Sequence, residues 1–301
     1  MIKPMLAVPM AKGTINDWND WVIDQKFDGH RLIVEVTHST VNAWTRPRKH
    51  AGSDGKTMAS KTLPPHLTAD FLNMPPGIYD GELIGGATST DVTRTDLAHT
   101  LQFVAFDYLG ESESVSYVKR SYDVRRRALV ELFDGATSCG SIILAQSAPL
   151  RCESDVALFV EHIWAQGGEG AILKRRAAPY QPGKRSPDFI KVKKLQTVVC
   201  TVVGFEASKG TVLNRGAFAT VLLEDAQGNK TSVKTKDDFE LNRFNRAWET
   251  VTVHNKDRWS PDSLRDTSTH PALGRKLRIE FQDFMPKAGY RHPRWDRWEN
   301  E

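Results

Sequence analysis

The stretch Asp24-Gln25-Lys26-Phe27-Asp28-Gly29-His30-Arg31 decides how this chain reads. It concentrates charge between two apolar strands. Gly29 allows a tight turn, because glycine tolerates positive φ. Lys26, Asp28 and Arg31 then converge around one small space. A lysine there can act as a nucleophile once it has lost its proton. An arginine can clamp an anion with its planar fork. Taken alone, the octet reads equally well as a hairpin carrying a surface salt bridge.

Working outward, Arg31-Leu32-Ile33-Val34-Glu35-Val36 and Thr40-Val41-Asn42-Ala43-Trp44 flank His38-Ser39. β-branched residues fill both arms around a short polar turn, which predicts an antiparallel hairpin. Leu101-Gln102-Phe103-Val104-Ala105-Phe106 and Ser141-Ile142-Ile143-Leu144 are further strand candidates. A helix is expected over 154–166, because Val156, Phe159, Val160, Ile163 and Trp164 recur at helical spacing. Ser154 can cap its start and Gly167-Gly168 can stop it. A second helix is expected over 122–133, with Arg125, Arg126 and Arg127 largely in solvent.

A second basic cluster is Asp188-Phe189-Ile190-Lys191-Val192-Lys193-Lys194. On a strand, Lys191 and Lys193 point to one face while Ile190 and Val192 point to the other. Two neighbouring lysines repel unless an anion, such as a polyphosphate, sits between them. A solvated strand face is the bland alternative. The acidic candidates are Glu82 in Tyr79-Asp80-Gly81-Glu82-Leu83 and Glu169 in Gly167-Gly168-Glu169-Gly170-Ala171. Each lies beside glycine at the mouth of an apolar strand. That suits a ribose hydroxyl or a magnesium ion, since hard cations want oxygen. Either alone also reads as an exposed loop acid.

The whole chain has 301 residues and formal charge +4, from 41 Lys+Arg against 37 Asp+Glu. That length predicts about two domains. Apolar residues at 40% and charged residues at 26% are an ordinary globular balance, which argues against long-range disorder. No run of about 18 apolar residues occurs, so no membrane-spanning helix is expected. The opening Met1-Ile2-Lys3-Pro4-Met5 is too short and Pro-broken before Pro9 for a signal peptide's apolar core. Cys139, Cys152 and Cys200 form no CxxC pair, which fits a reducing cytosol. A pI near 8.9 is compatible with a polyanionic partner.

After about Leu195 the composition turns β-rich: 197–203, 218–224 and 230–235 read as strands, and Leu277, Ile279 and Phe281 alternate with Arg278, Glu280 and Gln282. Several short strands in such a segment predict a small β-barrel, with the OB-fold the commonest candidate. Lys193-Lys194-Leu195-Gln196 is the expected hinge. The expected division is 1–195 and 196–301.

Taken in order, these segments resemble the covalent nucleotidyltransferases, above all the ATP-dependent DNA ligases of minimal, virus-like size. The boxes are K-x-D-G-x-R at Lys26 to Arg31, Thr45-Arg46, D-G-E at Asp80 to Glu82, and Phe106-Asp107. Glu169-Gly170 and K-x-K at Lys191 to Lys193 complete the series. The likeness spans about residues 3–194 and includes the opening Lys3-Pro4-Met5-Leu6-Ala7. It implies an α+β fold, a nucleotidyltransferase (adenylation) domain of antiparallel sheets with helices followed by a C-terminal OB-fold β-barrel.

The resemblance also implies roles. Lys26 would attack the α-phosphate of ATP and carry the adenylate as a phosphoramide. Asp24 would sit near the adenine amino group and Phe106 would stack on the base. Arg31 and Glu82 would hold the ribose side, with Arg31 also open to the DNA phosphate. Arg46 would contact the 5′-phosphate end of a nick. Asp28 and Glu169 would serve catalytic Mg2+ (or Mn2+). Lys191 and Lys193 would hold the α-phosphate and orient pyrophosphate. The terminal segment Arg294-Trp295-Asp296-Arg297 matches a last basic box, whose Arg294 and Arg297 would face the pyrophosphate of ATP. A basic tail with two tryptophans packed on the barrel is the alternative there.

The implied partner is nicked double-stranded DNA, bound by a monomer without a membrane, in a bacterial or virus-infected cell cytosol. Repair, replication and recombination all use such sealing. No long DNA-binding segment precedes Lys26, so DNA grip is expected from these two domains. The loop 208–216 is expected to be too short for a long DNA-encircling latch. The stretch 244–275 is an alternative wrapping element. An RNA ligase or mRNA-capping guanylyltransferase is the nearest rival reading, and a non-catalytic OB-type DNA-binding protein is a distant one.

Overall fold

The computed structural model describes residues 2–46, 57–86, 89–111, 117–135, 140–207, 218–234, 272–285 and 289–299. The loop 208–216, residues 244–271 of the 244–275 stretch, and Cys139 lie outside them. The chain forms two compact units, Met1–Lys193 and Lys194–Glu301.

In chain order the first unit contains β1 (Leu6–Pro9), β2 (Trp21–Lys26), β3 (His30–Val36), β4 (Val41–Thr45), β5 (Ala59–Ser60), α1 (Pro65–Leu72) and β6 (Gly77–Ile84). It continues with β7 (Gln102–Tyr108), α2 (Tyr122–Asp134), β8 (Ile142–Leu144), β9 (Ser147–Pro149), α3 (Glu153–Ala165), β10 (Gly170–Arg175) and β11 (Arg185–Lys193). One sheet has the order β1-β11-β10-β2-β9 and the other β5-β4-β3-β6-β7-β8. The β3–β4 hairpin pairs Ile33 with Trp44 and Val36 with Val41, as the alternation requires.

Side-chain alternation divides these sheets into layers. In the larger sheet, Leu32, Val34, Phe103 and Ala105 pack with Leu67 and Phe71 of α1 and Leu129 of α2. In the smaller sheet, Ile23, Ala171, Leu173 and Ile190 pack with Val156 and Val160 of α3. The two inner faces meet through Met5, Ile33, Ile78, Leu109, Tyr180 and Phe189. Burying three separate apolar clusters gives a helix–sheet–sheet–helix stack.

The α3 helix starts one residue earlier than expected. Its N-cap is Cys152, and Ser154 lies within the first turn. Asp155 does the capping, accepting from the N–H groups of Cys152 (3.3 Å) and Arg151 (2.8 Å). At the other end Gly167 N–H donates to Trp164 O (3.1 Å) and Gly168 N–H to Ile163 O (2.8 Å). This closing pattern of nested bonds satisfies carbonyls the helix leaves open.

The basic run on α2 departs from the solvent-facing expectation. Arg127 is exposed, but Arg126 is half-buried and Arg125 is only 1% exposed. Arg125 makes a bidentate pair with Asp107 (2.7 and 3.0 Å) and donates to the carbonyls of Arg120 (2.6 Å) and Ala178 (3.1 Å). Helical spacing puts residue 125 on the same stripe as Tyr122 and Leu129, which face the sheet. A buried guanidinium survives there because β7 supplies a carboxylate opposite it.

The second unit contains β12 (Gln196–Ala207), β13 (Phe218–Glu224), β14 (Lys230–Lys234), β15 (Lys276–Phe281), β16 (Asp283–Met285), β17 (Gly289–Arg291) and β18 (Arg294–Trp298). Five of them form an antiparallel sheet in the order β14-β13-β12-β15-β18, whose edge strands β14 and β18 come into contact. Bulges after Val202 and after Arg278 bend the sheet. The result is the curled half-barrel of an OB-type unit. Its inner face holds Cys200, Val202, Val221, Leu223, Leu277, Ile279 and Trp295. The C-terminal segment is a paired strand, with Trp295 and Trp298 packed edge to face at 4.8 Å.

Replacing Arg125 with leucine would leave Asp107 buried without its partner. The expected loss is about 3–5 kcal/mol of unfolding free energy, read from urea denaturation. An unchanged midpoint and slope would show that the pair does not hold the layers together.

Candidate active site

The site lies where the inter-sheet layer changes from apolar to charged. On the smaller sheet, β10 is flanked by β2 and β11. Gly170 stands opposite both Lys26 and Lys193, and Ile172 stands opposite both Asp24 and Lys191. Ile190 packs with the α3 cluster, while Phe189 packs between the sheets. By alternation Lys191 and Lys193 therefore face the inter-sheet side, as the sequence predicts.

Glu169 precedes Gly170 and joins the two lysines. One carboxylate oxygen accepts from Lys26 Nζ, and the other lies 2.5 Å from Lys193 Nζ. The Glu169 side chain is 9% exposed, so this bridge is largely shielded from water. Gly170 makes the placement possible. Its φ is +146°, and an added Cβ would meet the Val192 carbonyl oxygen at 2.1 Å.

Gly29 is needed for a different reason from the one expected. It is absent from the positive-φ glycines; an added Cβ would instead meet Leu83 O of β6 at 2.1 Å. Glycine lets the chain enter β3 close against β6, its neighbour in the same sheet. Asp28 lies half-buried in the loop between β2 and β3.

On the larger sheet, Arg31 of β3 stands opposite Glu82 of β6, yet its guanidinium reaches diagonally to Asp80. Nε and Nη2 donate to the two Asp80 oxygens at 2.5 and 2.7 Å. Burial opposes the charge on Arg31, but Asp80 outweighs burial and holds its pKa above the ordinary arginine value. The guanidinium lies over the Phe106 ring, 4.4 Å from its centroid. Glu82 is within a strand and not in a loop. Burial raises its carboxyl to about 7, against the pull of Arg31 and Lys26.

Asp24 is 2% exposed and paired with Lys174, whose Nζ donates to Oδ2 at 2.5 Å and to the Phe106 carbonyl at 3.2 Å. Asp24 Oδ1 is buried without a hydrogen-bond partner. Lys174 Nζ also lies 4.8 Å from the Phe106 centroid, and burial lowers its pKa despite Asp24. An aromatic ring, a buried acceptor and a donor thus share one corner. A planar base with an exocyclic amino group suits that combination.

The structure brings together Asp24, Lys26, Arg31, Glu82, Phe106, Glu169, Lys191 and Lys193. Arg46 is exposed just beyond β4. Arg294 and Arg297 belong to the second unit, both exposed on β18, with Arg297 Nη1 3.8 Å from Asp296. Sequence reasoning missed Asp80, Lys174 and Tyr180. Asp80 carried a signal, being two residues from Glu82 on the same strand face. Lys174 carried one too, being four residues from Gly170 on the same face. Among the described residues no group of three or more His, Cys, Asp or Glu side chains forms a metal cage. Mg2+ is commonly held by one or two carboxylates with substrate phosphates and water, so the oxygen donors of Asp28 and Glu169 fit it.

Residues 4–193 match the ATP dependent DNA ligase domain. The chain belongs to that family. It is 27% identical over 214 residues to the multifunctional non-homologous end joining protein LigD of Mycolicibacterium smegmatis, covering 69% of this chain and 26% of that protein. The chain thus spans about a quarter of the length of that curated relative. Among solved structures, a Lig E DNA ligase described as binding DNA with a minimal scaffold superposes with a TM-score of 0.71 at 19% identity, covering 99% of this chain and 100% of the other. A mycobacterial DNA ligase D complexed with ATP and MES gives a TM-score of 0.52 at 21% identity, covering 100% and 95%. These likenesses establish the fold, adenylation sheets followed by an OB-type unit.

The raised Glu82 carboxyl makes stability depend on pH. The folded protein binds this proton more tightly than the unfolded chain. The resulting stabilisation is full below the ordinary value of 4.5 and is lost as pH rises through about 7. Glu82→Gln removes that titration. Its melting temperature should therefore rise relative to the wild type between about pH 5 and pH 8. Parallel melting curves across that range would contradict the assignment.

Proposed function

We propose that the protein seals 3′-OH/5′-phosphate nicks in duplex DNA, using ATP and a covalent lysyl-AMP intermediate. The observation that carries this reading is the Lys26–Glu169–Lys193 bridge, together with the Phe106 ring of the facing sheet under Arg31. It supplies a nucleophilic amine, a second cation for phosphate and an aromatic face for a base.

In the first step, Lys26 Nζ attacks the α-phosphorus of ATP. The P–N bond forms, the bond to the β-phosphate oxygen breaks, and pyrophosphate leaves with the proton lost from nitrogen. Asp24 accepts from the adenine amino group, Phe106 stacks on the base, and Arg31 and Glu82 hold the ribose side. Lys191 and Lys193 neutralise the α-phosphate and orient pyrophosphate, with Arg294 and Arg297 facing that leaving group. In the second step, a nick 5′-phosphate oxygen displaces Lys26 from the adenylate phosphorus. Arg46 meets that phosphate, and Arg31 is available to it. In the third, the 3′-hydroxyl oxygen attacks the 5′-phosphorus, AMP leaves, and the hydroxyl proton is released.

Activation by AMP turns a very poor leaving group into a good one. All three steps are phosphoryl transfers, so positioning and charge stabilisation do most of the work. Asp28 and Glu169 would hold Mg2+ or Mn2+, which supplies charge neutralisation at the phosphates when bound. The division of labour is an adenylation domain over 1–195 and an OB-fold domain over 196–301. A monomer is the proposed active species. Among the described residues no helix is long and apolar enough to cross a membrane. Cys152 and Cys200 are free thiols, which supports a cytosolic setting.

A gel assay on a 5′-labelled nicked duplex tests the reading. Wild type with ATP and Mg2+ should give the sealed strand, GTP or NAD should not, and Lys26→Ala should seal none. Sealing of a nicked RNA duplex but not DNA would favour an RNA ligase. GMP transfer from GTP would favour a capping enzyme. Sealing by Lys26→Ala would overturn the nucleophile. The tail box has a separate test. Arg294→Ala or Arg297→Ala should slow self-adenylation by about tenfold or more, with a smaller effect on pre-adenylated nicks. Equal losses would contradict its role at pyrophosphate.

A further inference from the structure

The buried Arg31–Asp80 pair has a third member. Tyr180 is 3% exposed, and its hydroxyl donates to Asp80 Oδ2 at 2.6 Å. The same hydroxyl accepts from the backbone N–H of Met5 at 2.9 Å. Met5 in turn accepts, through its sulfur, from the N–H of Gln181 at 3.2 Å. A continuous chain of hydrogen bonds therefore runs from the N-terminal segment through Tyr180 and Asp80 to the guanidinium over Phe106.

The geometry poses a choice for Arg31. Its directly opposite neighbour across the β3–β6 ladder is Glu82, yet it pairs diagonally with Asp80. Asp80 is 0% exposed, so its carboxylate gets no help from water and depends on the donors around it. Arg31 supplies two hydrogen bonds and Tyr180 the third. A hydroxyl that already accepts a bond is polarised into a better donor. The Met5 amide thus strengthens the bond that Tyr180 gives to Asp80.

We propose that Tyr180 is a positioning residue for nucleotide binding: through Asp80 it keeps the Arg31 guanidinium against Phe106 and away from Glu82. The inference rests on reading the cleft as the nucleotide site. Tyr180 acts at a distance from the reacting atoms. Its ring is also anchored, with the Arg125 guanidinium 5.6 Å from its centroid and that arginine fixed to Asp107. Tyr180→Phe keeps the ring in place and removes the hydroxyl. Asp80 then loses one donor and the Met5 N–H loses its acceptor. Arg31 becomes free to divide between two carboxylates, and a site ordered for ATP becomes less ordered before ATP arrives.

The test is single-turnover self-adenylation of the full chain over a range of ATP concentrations, with melting curves on the same samples. Tyr180→Phe should raise half-saturating ATP by about tenfold and leave the limiting rate within about twofold. Asp80→Asn should raise half-saturation at least as much, and the double variant no more than Asp80→Asn alone, because the two residues act in series. A Tyr180→Phe protein that melts earlier but saturates like the wild type would overturn the proposal. Multiplying effects in the double variant would do so too.

If Tyr180→Phe does not fold, Asp80→Asn and Arg31→Lys decide between them. The series predicts that both raise half-saturating ATP and that their combination adds nothing; unchanged saturation in either contradicts it. A wild type that takes up no AMP would overturn the reading of the site and this proposal with it. Labelled wild type with an unaffected Tyr180→Phe would overturn the proposal alone.

Discussion

One glycine determines the geometry of this protein. Gly170 occupies the central row of a three-strand segment in which Lys26 and Lys193 are its two cross-strand neighbours. Strand spacing puts those two backbones about 10 Å apart, although they are far apart in sequence. Two ammonium groups that close cannot share a half-buried cleft without an anion between them. Glu169, the residue just before that glycine, supplies the anion. In the proposed reaction the nucleotide phosphates take over this role from Glu169.

The rest of the first unit sustains that constraint. Its two sheets face each other across one layer, apolar where Ile33, Ile78, Leu109 and Phe189 meet and charged where the lysines lie. Asp24–Lys174 and Arg31–Asp80 stand at the boundary, and Arg125–Asp107 joins α2 to the strand that carries Phe106. Buried pairs of this kind are a weak source of stability, because desolvation consumes most of the attraction. What they provide here is geometry. Asp24–Lys174 and Arg31–Asp80 fix cations against the Phe106 ring, and Arg125–Asp107 anchors the strand that carries it.

Much of this was legible in the sequence, and the limits have physical causes. Alternation placed Lys191 and Lys193 on one face, because period two is a rigid property of a strand. The β3–β4 hairpin and α3 followed from apolar periodicity. Arg125 was misread because a helical stripe shows which face a residue takes and not what waits opposite; Asp107 is 18 residues away and belongs to another element. Gly29 matters for close approach to Leu83 and not for positive φ, because β3 pairs with β6, a strand far away in the chain. The diagonal choice of Arg31 was beyond reach for the same reason. Arg31 and Glu82 stand opposite each other across the ladder, yet the buried Asp80, which also accepts from Tyr180, takes the guanidinium.

In the proposed reaction, the amine held by Glu169 is the one that takes the nucleotide. Peptide mapping by tandem mass spectrometry, after incubation with ATP and Mg2+, addresses it directly. One AMP is expected, on the fragment containing Lys26 and attached through its side-chain nitrogen. Adenylate on Lys174, Lys191 or Lys193, with Lys26 unmodified, would contradict it.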